Sequence, residues 1–105
     1  MPNPHRGEVS LKAGEKTYTL AFTINSVCEL ENHLDKSLSD IVAGMGRVSV
    51  VRAVLWAGLR HHHGVSIEEA GDIMHEAGAA ATSEAINKAM MLAFPQPAGA
   101  AGKNR

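Results

Sequence analysis

Apolar residues recur at every second position from Gly7 to Phe22 and at every third or fourth position thereafter. In the first stretch Val9, Leu11 and Ala13 alternate with Glu8, Ser10 and Lys12. Beyond Gly14-Glu15 the alternation resumes, with Tyr18, Leu20 and Phe22 set against Thr17, Thr19 and Ala21. Successive side chains of a strand point to opposite faces, so each run predicts a half-buried strand. Two such runs split by a short glycine-containing turn predict a β-hairpin. A lone hairpin is marginal in water. The face carrying Val9, Leu11, Tyr18, Leu20 and Phe22 must therefore cover helices.

From Thr23 onward the spacing is helical. Thr23 is suited to cap a helix from about Ile24 to Leu34, whose apolar arc holds Ile24, Val27, Cys28, Leu30 and Leu34. Glu31 projects into that arc, a carboxylate at the core edge held by a basic partner or by water, or else a charge facing a partner. Asp35-Lys36 turns the chain. Ser37-Leu38-Ser39-Asp40 then opens a short helix to about Ala43 as a capping-box variant, and Gly44-Met45-Gly46 ends it.

The stretch VVRAVLWAGLRHHH, residues 50–63, predicts the central helix. Val50, Val51, Val54, Leu55, Ala57, Gly58 and Leu59 cover about half its circumference, wider than the stripe of a surface helix. Arg52, Trp56, Arg60 and His63 fall opposite. Ser49 is the expected cap, and Gly64 the expected left-handed terminator. Ser66-Ile67-Glu68-Glu69 has the form of a capping box. On the helix behind it Ile67, Ala70, Gly71, Ile73, Met74 and Ala77 share one face, and Gly78 closes it. Thr82 or Ser83 is the expected cap of a last helix that runs to about Ala93 or Phe94, before Pro95. The fold class is α+β, an N-terminal β-hairpin packed on a bundle of four to five short helices. Residues 1–6 are expected as a flexible lead-in, residues 7–94 as one domain, and the Pro/Gly/Ala-rich residues 95–105 as a disordered tail.

Composition narrows the function. A chain of 105 residues suits one core. Tyr18, Phe22, Trp56 and Phe94 are its only aromatics, so small aliphatic residues and five methionines must fill the interior. A net charge of −1 argues against nucleic acid as the main ligand. No run approaches the roughly 18 apolar residues of a membrane helix. The start, MPNPHRGEV, lacks an apolar signal core, and Cys28 is the sole cysteine. A soluble, cytoplasmic protein is expected.

Candidate chemistry is sparse. His61, His62 and His63 stand in a row, but neighbours on a helix point about 100° apart and cannot converge on one metal. At a helix end they are expected to meet orphan carbonyls and solvent. A His-dependent metal-binding role is the competing reading. Cys28, on the apolar face, reads as an inert core thiol. No nucleophile has an assigned base, and no glycine spacing fits a phosphate loop. The helices flanking Gly64 could mimic a helix-turn-helix, yet Glu68, Glu69, Asp72 and Glu76 would repel phosphates. The expectation is a non-enzyme with no catalytic residue, no cofactor and no metal. The candidate protein-binding residues are Arg52, Trp56 and Arg60 on the central helix and Met91 and Leu92 on the last. Trp and Arg are enriched at interface hot spots. Trp56 between two arginines equally suits a stacked lid at the core edge. Met91 and Leu92 mark either a wide buried face or an adaptable docking site.

Taken in order, the pieces resemble the small tail assembly chaperones of long-tailed phages, in the branch associated with gene transfer agents and related prophages. The residues that carry the likeness are Asn3-Pro4-His5-Arg6-Gly7-Glu8-Val9, the hairpin ending Tyr18-Thr19-Leu20, the Leu30-Glu31 helix, Leu55-Trp56-Ala57-Gly58-Leu59-Arg60-His61, and a last helix ending Ala93-Phe94. They span roughly residues 3–94. The resemblance implies a protein that binds the long, hydrophobic tape measure protein, or other phage tail proteins, while the tail tube polymerises. It allows a homo-oligomer. Members of this branch have also been labelled tail tube proteins, so a stoichiometric structural tail component is the alternative it implies. No catalytic residues come with the family.

Overall fold

The computed structural model describes residues 7–94. Asn3 to Arg6, the expected lead-in and the expected tail lie outside the described residues. Strands β1 (Val9–Ala13) and β2 (Lys16–Leu20) form a two-stranded antiparallel sheet in the register Val9↔Leu20, Leu11↔Tyr18 and Ala13↔Lys16. Gly14 takes the first place of the two-residue turn at φ 63°, a conformation that β-carbon-bearing residues resist. The register puts Val9, Leu11, Tyr18 and Leu20 on one face, and Leu11 and Leu20 are buried.

Five helices follow: α1 (Ile24–Leu34), α2 (Leu38–Ala43), α3 (Val48–Leu59), α4 (Ile67–Ala77) and α5 (Ala79–Ala93). The α+β reading holds, with five helices among the described residues. Local chemistry sets several boundaries. Thr23 accepts the Ser26 N–H at the start of α1, and Ser37 accepts the Asp40 N–H at the start of α2. Ser66 and Glu69 form the reciprocal capping box of α4. Asp35, at φ 52°, ends α1 in the left-handed region. The Glu31 carboxylate finds a backbone partner: it accepts the N–H of Leu38 at 2.8 Å and so ties α1 to the first turn of α2.

Helix α3 is the central element. It buries Val50, Val51, Ala53, Val54, Leu55, Ala57, Gly58 and Leu59, and it packs against α1, α4, α5 and β2. The hairpin meets it at Gly58. The Ala21 N–H donates to the Gly58 carbonyl at 2.9 Å, and the Phe22 ring lies where a β-carbon on Gly58 would stand, 2.8 Å from the ring Cζ.

Several expectations need correction. Ser49 does not cap α3; the helix starts at Val48 behind Arg47, with no side-chain cap, and a Gly44–Arg47 backbone turn leads into it. Nor does α3 reach His63. It ends at Leu59 because the histidines leave its axis to bond the hairpin, and Gly64 does not take a left-handed conformation. Helix α5 begins at Ala79, before Thr82 and Ser83, since Gly78 at φ 94° closes α4 and opens α5 at once and the alanines extend it. Thr82 is buried instead of capping, and its hydroxyl is satisfied by the Gly78 carbonyl at 2.8 Å. Cys28 and Ile24 are exposed. The docked face of α1 is rotated toward Ser26, Val27 and Leu30, leaving the outer part of the expected arc uncovered.

Replacing Gly58 by Ala would gain about 1 kcal/mol of helix propensity. It would also drive the new methyl into the Phe22 ring, and overpacking costs about 1–3 kcal/mol, to which displacement of the ring adds. The G58A variant is expected to lose about 1–2 kcal/mol of stability, read from its urea midpoint at unchanged m-value. A midpoint at or above that of the wild type would show that the contact is not tight.

Candidate functional site

Helix α2 is only six residues long and packs against α1. It therefore leaves a gap between itself and α5, an apolar depression with a volume of about 420 Å³. From α2 come Leu38, Ile41 and Val42, and from the following turn Met45. Helix α5 supplies Ile86, Asn87, Met90 and Met91, and Phe94 stands just past its end. Val54 of α3 forms part of the floor.

Depth and exposure divide the lining into two layers. Ile41, Val54 and Ile86 are fully buried and belong to the core. Val42 is 56% exposed and Met91 71% exposed, so the lips stand in water. Met45, Met90 and Phe94 are half-buried between them. Three thioether side chains in one groove make an adaptable wall, because methionine is unbranched and polarisable. The volume lies within the range of about 300–1,000 Å³ typical of binding pockets. It suits a few apolar side chains projecting from a partner rather than a whole helix. Among the described residues of the lining Asn87 is the one polar side chain, so the groove offers mainly apolar surface.

The sequence-predicted residues do not form one patch. Met91 is on the groove lip. Leu92, also exposed, lies beside Gly7 rather than in the lining. Val54 faces the groove, and Arg52 and Trp56 are each two positions away from it, about 200° round the helix. Arg52, Trp56 and Arg60 thus occupy the reverse side of α3. There the Arg60 guanidinium lies 5.2 Å from the Trp56 ring and pairs with Glu29 of α1 at 3.0 Å. The His33 ring leans on Trp56 from α1 at 5.3 Å. The Arg52 stem crosses Gly71 of α4, with its Cδ 3.0 Å from where a β-carbon would sit, and its Nε is buried without a partner. Trp56 is half-buried in a stacked seam between α1 and α3.

Of the groove lining, only Met91 is among the residues that the sequence marks as protein-binding; Leu38, Ile41, Val42, Val54, Ile86, Asn87 and Phe94 are not singled out for that role. Only Val42 and Met45 carried a local signal, as apolar side chains on a helix and turn too short to bury them.

The three histidines lie in the connection after α3. His62 Nε2 meets Glu8 Oε2 at 3.2 Å, and His63 Nε2 accepts the Thr19 N–H at 3.0 Å. The edge of Tyr18 rests on His63, with ring centroids 5.2 Å apart. Burial first, and the neighbouring His62 second, hold the His63 pKa below its ordinary value. Among the described residues, no three His, Cys, Asp or Glu side chains are grouped as metal ligands, and no helix is long and apolar enough to cross a membrane. A second depression of about 400 Å³ lies between the hairpin tip and α4, lined by Gly14, Glu15, Lys16, Tyr18, Asp72 and Glu76 among others.

Lip and floor should separate energetically. M91K keeps a good helix former at an exposed position near a helix C-terminus, so its stability is expected within about 0.5 kcal/mol of wild type. I86A removes a buried branched side chain and is expected to cost about 2–5 kcal/mol. Urea denaturation of both variants checks this. A large loss in M91K would make Met91 part of the core rather than a free lip.

Comparison with known proteins adds no relative: no family model, no curated protein and no solved structure matches this chain.

Proposed function

We propose that this protein is a phage tail assembly chaperone of the gene transfer agent type, encoded with a prophage or gene transfer agent, which holds apolar segments of the tape measure protein during tail assembly in the cytoplasm. The observation that carries this reading is the methionine-lined groove between α2 and α5, with a buried aliphatic floor and exposed lips. A chaperone for a long hydrophobic client must accept many related segments, and adaptable side chains over a firm floor do that without a fixed hydrogen-bond pattern. The likeness of the hairpin, the Leu55–His61 stretch and the Ala93-Phe94 helix end to that family supplies the client. On this reading the protein is no enzyme: it lends surface and makes or breaks no covalent bond.

Burying a Met or Val side chain contributes about 1.5–3 kcal/mol, so charging both lips should weaken client binding tenfold or more. Co-expression with the tape measure protein of the same tail-gene cluster tests this. The wild type is expected to raise the soluble fraction of the client and to co-purify with it. V42K/M91K is expected to do neither, and H75Q, an exposed change on α4, to behave as wild type. A client equally soluble with or without the chain, or captured unchanged by V42K/M91K, would overturn the proposal. Abundant chain in purified particles would instead favour the stoichiometric tail component.

A further inference from the structure

A two-stranded sheet has two open edges, and one of them is capped by a titratable ring. In a two-residue hairpin the positions flanking the loop, Ala13 and Lys16, exchange hydrogen bonds, and bonded pairs alternate from there. Leu11–Tyr18 and Val9–Leu20 are then bonded pairs, while Thr17 and Thr19 turn their amides away from β1. The Thr19 amide donates outward to His63 Nε2 at 3.0 Å. A backbone N–H can only donate, so this Nε2 bears no proton; His63 is neutral, with its hydrogen on Nδ1.

His62 makes the opposite demand. Its contact with Glu8, 3.2 Å at Nε2, is an ion pair only when the imidazole is charged. Adjacent rings thus fasten one loop to both strands, His62 beside the head of β1 and His63 on the edge of β2. The titratable groups facing His63 are His62, 6.3 Å away between ring centroids, and Tyr18 of β2. Beyond His62 stand His61 on the same loop and Glu8.

We propose that residues 61–63 form a pH-operated latch on the outer edge of β2. A neutral His63 caps the Thr19 amide; when a solvent proton binds Nε2, two donors face each other, the hydrogen bond is lost and the edge is released. The His63 pKa is held below 6.5 in the folded protein by burial and by His62. The unfolded chain therefore takes up its proton first as pH falls. The latch is fully formed above pH 6.5 and is lost as pH falls through the lowered folded value.

Amide exchange and ¹⁵N spectra of the full chain, taken from about pH 8 to pH 5, test this. The intrinsic-rate-corrected protection of Thr19 is expected to fall roughly tenfold with acid, the ratio that corresponds to one hydrogen bond of ordinary net strength. H63Q keeps an acceptor that does not titrate, and its Thr19 protection is expected to stay flat. H62Q removes the neighbouring charge, so release moves to higher pH than in the wild type. The wild-type imidazole ¹⁵N shifts are expected to report the Nδ1–H tautomer at neutral pH, a readout that needs no variant to fold. Flat protection in the wild type, a wild-type pH curve in H63Q, or an Nε2–H tautomer would each overturn the proposal.

Discussion

The contact between Gly58 and the chain leaving the hairpin sets the geometry of everything else. At this point α3 has no side chain, so the Phe22 ring closes onto its backbone and the Ala21 amide reaches the Gly58 carbonyl. A helix carbonyl normally serves only the amide four residues on. The His62 amide turns to the Leu59 carbonyl instead, so the Ala21 amide takes the Gly58 carbonyl left open in the last turn of α3 and fixes the hairpin both along the helix axis and around it. With β2 seated on one side and α1, α4 and α5 packed on the others, α3 is nearly all core. Short α2 is held by α1 and by the Glu31 carboxylate on the Leu38 amide. It has no room on α3, and its apolar side chains are left facing those of α5 across open space.

The groove and the core therefore share residues but not duties. Ile41, Val54 and Ile86 are buried whether or not anything docks, so the floor is formed in the free protein. Val42 and Met91 stand in water. A preformed floor lowers the ordering cost of binding, and the mobile thioethers of Met45, Met90 and Met91 widen the range of side chains it fits. Such a surface trades tight selectivity for breadth, which is what the proposed chaperone role would require.

The parts of this architecture fixed by chemistry within a few residues could be read from the chain. The caps at Thr23, Ser37 and Ser66, the Gly14 turn, the strand alternation and Gly78 as a helix terminator all act locally. The parts fixed by distant contacts could not. His61–His63 look like the last turn of a helix until Glu8 and Thr19 draw them away. Thr82 looks like a cap until Gly78 starts the helix earlier and turns it inward. Arg52, Trp56, Arg60 and Met91 all carry interface-prone side chains, but only the packing of α3 shows that the first three belong to a stacked seam and a helix–helix contact on the reverse face. Neither α2 nor α5 alone implies a groove, because it exists only in the gap between them.

Whether the groove holds apolar client segments is decided by methionine methyl spectra of the full chain titrated with an amphipathic apolar peptide from the tape measure protein. Met45, Met90 and Met91 line the groove, while Met74 lies buried on α4 and serves as an internal reference. The first three methyl signals are expected to shift together and saturate at one peptide equivalent while Met74 stays in place. Unmoved groove methyls, or shifts centred instead on the Trp56 indole, would contradict the proposed docking.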